Sequence, residues 1–130
     1  MAETGVILQP VPGEYAVHRL AAGADIPPQV WSSPFVSVSR SRDELSIVTD
    51  AGIHVDADHT VKPWLAYRVK GAIDFSVTGV MSALTTPLAD AGLGILGIST
   101  YDTDYILVHA DSGEAAEMTW QAAGIAIDRP

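Results

Sequence analysis

The chain contains no cysteine, which excludes disulfides, thiolate zinc sites and cysteine nucleophiles. Basic residues are also few, since 7 lysines and arginines stand against 16 aspartates and glutamates, for a formal net charge of −9. An acidic surface repels phosphate groups, so we expect no binding to nucleic acids or to anionic membranes. No uncharged run approaches the roughly 18 residues of a membrane span, and the N-terminal residues lack the basic segment of a secretion signal. We therefore expect a cytoplasmic protein.

The residues that are present favour a folded chain with a substantial core. Hydrophobic residues make up 48 % of the 130 residues, and aliphatic and aromatic types occur throughout. This composition argues against disorder, and the length favours one compact unit.

Two helices are predicted in the second half of the chain. Residues 77–91 carry an apolar stripe at helical spacing, formed by Val80, Leu84, Leu88 and Ala91. A second helix is predicted to begin at Asp111 or Ser112, where Asp111 and Glu114 have the spacing of a capping box. Its predicted apolar face consists of Ala115, Met118 and Ala122.

Strand patterns flank these helices at 64–71, 94–100, 105–109 and 125–128. The resulting order is strand, helix, strand, strand, helix, strand, which is that of a ferredoxin-like half. We expect both helices to lie on one face of this sheet.

The first half offers strands in a similar order with a shorter helical part. A turn at Pro12 and Gly13 is predicted to lead into a strand at 15–20, and the segment "ADIPPQVW" permits only a short helical turn. Strands follow at 35–39 and 45–48, joined by a charged hairpin, with a further short strand at 53–55. We predict an α+β fold of two ferredoxin-like sub-domains packed as one unit, with a degenerate first sub-domain at 1–61 and a second at 62–130.

Motifs for catalysis are missing, since the chain has no GxSxG elbow, no GxGxxG and no Walker A pattern. The segment "HVDADH" gathers His54, Asp56, Asp58 and His59, but its spacing fits no tight site and a solvated loop explains it, so we predict that no metal binds. We expect no cofactor and no enzymatic activity. The strand histidines His18 and His109 are expected to be half-buried or to point to solvent.

The segment "GISTYDTDYILVHA" suggests a ligand site, because two strand patterns flank a turn with two carboxylates, Asp102 and Asp104. A carboxylate at a strand end suits an ammonium or guanidinium group. The nearby start of the first helix presents free N–H groups that suit a carboxylate. Together they fit a zwitterion such as an amino acid. The alternative is that both aspartates make only Asx-type turn bonds.

The core "STYDTDYILV", with "GVMSALTTPLADAGLGILG" before it and "YAVHRL" and "DIPPQVW" in the first half, resembles the ACT domain family. More narrowly, it resembles tandem ACT-domain proteins that include the cytosolic arginine sensors of animals and small bacterial proteins. The resemblance covers about residues 10–128. It implies βαββαβ modules that bind small ligands, most often amino acids, at inter-domain or dimer interfaces. Such modules regulate other proteins and catalyse nothing.

The resemblance also implies site residues. In the arginine sensors, one repeat supplies a turn and the loop entering its helix, and another repeat supplies a strand start. The matching positions here are Thr100, Tyr101 and Asp104 for the turn, Val77, Thr78, Gly79 and Val80 for the loop, and Gly94 and Ile95 for the strand start. This chain has one well-formed repeat of that kind, so both surfaces meet only in a homodimer. Val77 stands where the sensors have an acidic residue, which argues against arginine as the ligand.

The prediction from the sequence is a non-catalytic sensor or regulatory module that binds a small molecule, an amino acid. The alternative is an assembly or interaction protein of the same fold with no bound metabolite. A thermal-shift screen of the twenty amino acids discriminates the two, because a ligand that binds only the folded state raises the unfolding midpoint.

Overall fold

The structure, a computed structural model, describes residues 5–71 and 79–129. Within these ranges the chain forms the following elements in order: β1 (Ile7–Leu20), a 3₁₀ helix (Pro28–Ser32), β2 (Ser37–Arg40), β3 (Leu45–Asp50), β4 (His59–Val69), α1 (Val80–Asp90), β5 (Ile95–Ser99), β6 (Asp104–His109), a 3₁₀ turn (Ala110–Ser112), α2 (Gly113–Ala122) and β7 (Ala126–Ile127). From β4 onward the order is βαββαβ, so the predicted α+β class and element order are confirmed. Neither described helix is long and apolar enough to cross a membrane.

The chain divides into two compact units. The larger unit comprises Met1–Val11 and Leu65–Pro130, and the smaller unit comprises Pro12–Trp64. Strands β1 and β4 therefore each contribute residues to both units. These unit boundaries differ from those of the predicted sub-domains, 1–61 and 62–130, whose assignment as two related modules stays a prediction.

In the larger unit the strands follow the order β7-β1-β4-β6-β5. The pair β5 and β6 is antiparallel, with Ile95 opposite Val108 at one end and Ser99 opposite Asp104 at the other. The short strand β7 runs parallel to the start of β1. This arrangement gives the unit one face on which helices pack.

Both helices of the larger unit bury residues in one apolar cluster. Helix α1 contributes Leu84 and Leu88, helix α2 contributes Trp120, and β4 contributes Tyr67 and Val69. Because Tyr67 and Val69 are two residues apart on a strand, they point to the same face. Both helices thus pack on one face of the sheet, as predicted, and the buried stripe predicted for the first helix is confirmed at its two leucines.

Helix α1 spans fewer residues than predicted, and its end is formed by a glycine. Gly92 has a φ of +76°, and its N–H and that of Leu93 donate to the carbonyls of Ala89 and Leu88 at 3.0 and 2.9 Å. This is the Schellman pattern, in which a residue in the left-handed region closes the helix. Ala91, predicted as the last buried position, is exposed at the C-cap.

The predicted apolar face of α2 is wrong. Ala115 and Ala122 are exposed, and Met118 keeps 63 % of its surface exposed. The buried residues of this helix are instead Gly113, Ala116 and Trp120.

The beginning of α2 also differs from the prediction. The chain first makes a 3₁₀ turn, and the α-helix starts at Gly113, later than predicted. No side chain caps it, so the predicted capping box of Asp111 and Glu114 is also wrong. The buried side of the helix is set by Trp120, which is fully buried and donates from Nε1 to the Leu84 carbonyl at 2.8 Å.

In the smaller unit the strands follow the order β2-β3-β1-β4, with β3 antiparallel to both β1 and β2. Strand β1 continues through Pro12 and Gly13, where a turn was predicted. Gly13 makes this possible with a φ of +94°, a conformation that costs glycine little. A Cβ at this position would lie 3.2 Å from Asp50 Oδ2.

The core of the smaller unit forms around Val30, which the predicted short helical turn places in a cluster with Leu20, Leu45, Ile47 and Val55. The predicted hairpin is confirmed between β2 and β3. No strand forms at 53–55, and those described residues are irregular instead.

Two polar side chains of this unit have defined partners. Arg40, at the start of the charged hairpin, is exposed, and its guanidinium donates to the carbonyls of Ala22 and Ala24. His18 is only 4 % exposed, whereas His109 is exposed. The prediction of a half-buried or outward-pointing histidine is therefore wrong for His18, because its strand lies between two neighbours in the sheet.

Candidate functional site

Two threonines build the turn between β5 and β6. The N–H and the hydroxyl of Thr100 donate to the Thr103 carbonyl at 2.8 and 3.0 Å, and the Thr103 N–H donates back to Thr100 Oγ1 at 3.3 Å. These are the bonds of a hydroxyl-stabilised turn. They use neither Asp102 nor Asp104, so the Asx-type alternative does not describe how this turn is held.

The turn is anchored to the end of β4 through Thr103. Its hydroxyl donates to the Val69 carbonyl at 3.0 Å, and the residue is only 4 % exposed. A buried hydroxyl that is bonded in this way fixes its backbone. Sequence reasoning missed Thr103, because one threonine between two aspartates carries no periodic signal of burial.

Asp104 is the first residue of β6 and lies opposite Ser99, the last residue of β5. Asp104 Oδ1 accepts a hydrogen bond from Ser99 Oγ at 2.6 Å. A carboxylate has about four acceptor sites, so it can hold this bond and receive a cationic group as well. Ser99, which is absent from the predicted site, is therefore a positioning residue for Asp104. Tyr101, at the tip of the turn, is 80 % exposed.

The start of α1 supplies hydrogen-bond donors. Gly79 is its N-cap, with a φ of +83°, and Val80 is its first residue. A glycine has no side chain with which to cap the first-turn N–H groups, which have no acceptor within the helix. The positive end of the helix dipole lies there as well. The other two predicted residues of this loop, Val77 and Thr78, lie outside the described residues.

The helix start and the Asp104 turn lie at the same end of the sheet. A Cβ built on Gly97 would lie 3.4 Å from the sulfur of Met81, in the first turn of α1. Gly97 is the middle residue of β5, so this contact alone selects neither end of the strand. The short connection at 91–94 makes α1 and β5 run in opposite directions, which turns the start of α1 toward Ser99, the partner of Asp104. Gly79 and Val80 therefore lie on the side of the unit toward Thr100, Tyr101 and Asp104, and their meeting at one ligand stays a prediction.

Gly94 and Ile95 lie at the opposite end of β5. Ile95 faces Val108, four residues along the strand from Ser99. At about 3.4 Å per residue the separation is about 13 Å. One copy of the unit therefore does not bring these two residues to the Asp104 turn.

The pKa shifts of the larger unit lie on side chains other than those of the turn. One is at Asp128, whose pKa is lowered by the hydrogen bond from Lys70, and the others belong to a group around Glu117. Glu117 Oε2 accepts hydrogen bonds from Arg129 Nη2 and from the Tyr67 hydroxyl, both at 2.6 Å. The bond from Arg129 lowers the pKa of Glu117 despite the opposing effect of burial. Burial, followed by the bond to Glu117, raises the pKa of Tyr67. This group ties β4 and α2 to the C-terminal segment.

The residues "HVDADH" do not gather into a metal site. Asp58 pairs instead with Arg19, at 3.6 Å between Oδ2 and Nη1. Across residues 5–71 and 79–129, no three histidine, aspartate or glutamate side chains lie where they could hold one metal ion. The absence of metal binding at His54, Asp56, Asp58 and His59 stays a prediction.

Comparison with known proteins gives matches along most of the chain. A sequence profile of the ACT domain matches residues 60–119, and a profile of the N-terminal domain of another protein family matches residues 13–52. Comparison with proteins of curated function gives no match.

Three solved structures resemble this one. Protein Atu0741 from Agobacterium tumefaciens has a TM-score of 0.88 and 30 % identity, over 100 % of this chain and 96 % of that chain. VC0802 from Vibrio cholerae, described as a protein of unknown function and a possible transport protein, has a TM-score of 0.69 and 16 % identity, over 92 % and 90 %. The regulatory subunit of aspartate kinase from Thermus flavus has a TM-score of 0.61 and 17 % identity, over 95 % and 99 %. The last two likenesses show the fold alone.

Proposed function

Since the chain belongs to the ACT domain family, as a relative of Atu0741 from Agobacterium tumefaciens over its full length, we propose that it is a non-catalytic regulatory module whose ligand is an amino acid. ACT domains are small-ligand regulatory modules. The profile match at residues 60–119 carries this proposal, and the regulatory subunit of aspartate kinase is a protein that has the same fold.

The observation that carries the amino-acid proposal is the pairing of opposite chemistries at one end of the sheet. The Asp104 carboxylate, positioned by Ser99, suits an ammonium or other cationic group. The N–H groups that follow Gly79 suit a carboxylate. A free amino acid carries both charges within a few ångströms, so the proposal requires these two groups to lie that close together.

The module is proposed to act as a homodimer. Gly94 and Ile95 lie about 13 Å along the strand from Asp104, so they reach the ligand only from a second copy. In the described part of the larger unit β5 pairs with β6 alone, which leaves its other edge open to a further strand. Light scattering is expected to give twice the chain mass of 13.7 kDa, and a mass of one chain at micromolar concentration with saturating ligand would contradict the dimer.

A thermal-shift screen of the twenty amino acids identifies the ligand, because binding to the folded state alone raises the unfolding midpoint. Asp104→Asn is then compared with wild type by calorimetry. This change keeps the shape of the side chain and removes its charge. A charge-assisted hydrogen bond contributes about 1.5–3 kcal/mol, so the affinity is expected to fall about tenfold or more.

Asp102→Asn is the matched control, since it removes the same charge from an exposed residue of the same turn and is expected to change the affinity much less. Equal affinity of wild type and Asp104→Asn on folded protein refutes the site. If no amino acid stabilises the protein while scattering shows a dimer, the alternative of an assembly protein without a metabolite is the better description.

A further inference from the structure

The smaller unit contains an open cavity of about 370 Å³, and none of its lining residues belongs to the proposed site. Its walls include His18 from β1, Ile53, His54 and Val55 from the irregular segment after β3, and Thr60 and Lys62 from β4. All of these residues belong to the smaller unit. The volume lies at the lower end of the range for small-molecule sites, so it fits a compound of a few carbon atoms.

A buried imidazole in this wall lacks a partner. His18 is 4 % exposed, and its Nδ1 lies 2.8 Å from Thr60 Oγ1. Among the residues that the structure describes, its Nε2 has no hydrogen-bond partner. A buried polar atom left in this way costs free energy, and such groups call for a specific explanation. When the Thr60 hydroxyl donates to Nδ1, Nε2 carries the proton and is a buried donor without an acceptor among the described residues.

The charges around this imidazole favour an anion. The chain has 16 acidic and 7 basic residues, yet the described lining of the cavity holds two histidines and a lysine and no carboxylate. Burial, and then the charges of Lys62 and His54, lower the pKa of His18. Both neighbours are therefore close enough to act on the same space. A negative group placed there meets the positive charge of Lys62 without a lining carboxylate to repel it.

Apolar side chains complete the lining. Val55 is buried and belongs to the core cluster of the smaller unit, and Ile53 packs against that cluster. A ligand that fills the cavity thus meets the Lys62 ammonium and two imidazoles on one side and hydrocarbon on the other.

We propose that this cavity is a binding site for a small aliphatic carboxylate. The carboxylate lies toward His18 Nε2, His54 and Lys62, and the hydrocarbon chain lies against Ile53 and Val55. The site is separate from the proposed amino-acid site in residues and in unit, so it succeeds or fails independently of that function.

The test is an NMR titration of the full-length protein with butanoate, with butylammonium as the probe of opposite charge and with inorganic phosphate as a non-carboxylate anion. Amide signals of Gly52, Ile53 and Val55 and the imidazole signals of His18 report on the cavity. Butanoate is expected to shift them saturably below about 10 mM, a range that reveals a Kd near 1 mM. Butylammonium is expected to leave them in place.

Variants at exposed positions test the polar side of the cavity without disturbing the core. Lys62→Gln is expected to weaken butanoate binding about threefold, as for a partly solvated charge pair. His54→Gln is expected to weaken it by a similar factor, because an imidazole that can bond the carboxylate is lost. Two variants are matched controls. Lys70→Gln makes the same change as Lys62→Gln elsewhere on the chain, and His59→Gln changes the other histidine of "HVDADH". Both controls are expected to bind butanoate as wild type does. Neither control residue lines the cavity.

Three results would overturn the proposal. These are the absence of saturable shifts with butanoate, equal binding of butylammonium, and unchanged affinity in both Lys62→Gln and His54→Gln. If phosphate saturates the same signals while butanoate does not, the carboxylate assignment is wrong. Because Asp104→Asn leaves this cavity intact, its effect on amino-acid binding is scored separately.

Discussion

Replacing Trp120 by phenylalanine tests how the larger unit is held together. The side chain is fully buried, and its Nε1 donates to the Leu84 carbonyl at 2.8 Å. Its ring meets that of Tyr67 edge-on, with centroids 4.9 Å apart and planes at 73°. Phenylalanine keeps an aromatic ring for that contact but removes the indole donor and part of the volume.

The loss can be worked out from these contacts. The Leu84 carbonyl loses a buried hydrogen bond, which costs about 1–2 kcal/mol. The smaller ring leaves a void that adds about 1 kcal/mol. We therefore expect Trp120→Phe to lower the free energy of unfolding by about 2–3 kcal/mol. For a unit of this size, that corresponds to a fall in Tm of about 10 °C.

Thermal and urea unfolding followed by circular dichroism measure this change. The control is Trp31→Phe, which makes the same chemical replacement at a tryptophan that is 58 % exposed. Surface substitutions of this kind change stability by about 0.5 kcal/mol or less. If the two variants are equally stable, the reasoning fails, because α2 would then not pack through Trp120.

Two further predictions follow from hydrogen bonds of the larger unit. Thr103→Val keeps the shape of a buried residue but leaves the Val69 carbonyl without the hydroxyl that donates to it at 3.0 Å. Unfolding titrations should therefore show a loss of about 1–2 kcal/mol in the free energy of unfolding. An unchanged midpoint would contradict the anchoring of the turn. Glu117→Gln keeps an acceptor but removes the charge that Arg129 pairs with. Because the folded-state pKa of Glu117 is lowered, its contribution is present above the ordinary value of 4.5 and is lost as the pH falls through the folded value. Wild type should therefore exceed Glu117→Gln in stability at pH 7 by about 1 kcal/mol or less. This difference should shrink as the pH falls below the ordinary value of 4.5, and parallel stability curves would contradict this account.

The positions of strands and helices in the larger unit could be predicted, because apolar residues recur there at clear periods. Leu84 and Leu88 fix the buried side of α1 without ambiguity. The buried side of α2 could not be predicted in the same way. Its alanines fit either face, and the true face depends on where the helix begins after the 3₁₀ turn and on where Trp120 finds its partner.

In the first half of the chain, local sequence signals gave wrong predictions of structure and burial. Pro12 and Gly13 have the local signature of a turn, yet β1 runs through them, because pairing with neighbouring strands outweighs the local preference. The burial of His18 depends on the same strand neighbours and carries no signal in the local sequence.

The types of residue at the candidate site could be predicted from the sequence, but the hydrogen bonds between them could not. A turn with carboxylates between two strands was evident. That Ser99 holds Asp104 depends on the register of β5 and β6, and that Thr103 is buried depends on where β4 ends. Such contacts join residues that are distant in sequence, so no local pattern encodes them.

The residues that form the core of the larger unit decide where the chain can be truncated. Its core includes Leu8 near the start of the chain and Trp120 and Ile125 near the end, all at most 1 % exposed. All three lie outside residues 60–119, the stretch that matches the ACT domain profile. A fragment cut at those limits would leave the apolar surfaces of Tyr67 and Leu84 without their covering side chains. The segment that matches the ACT domain profile is thus shorter than the segment that completes the hydrophobic core. Fusions and truncations should therefore keep both ends of the chain.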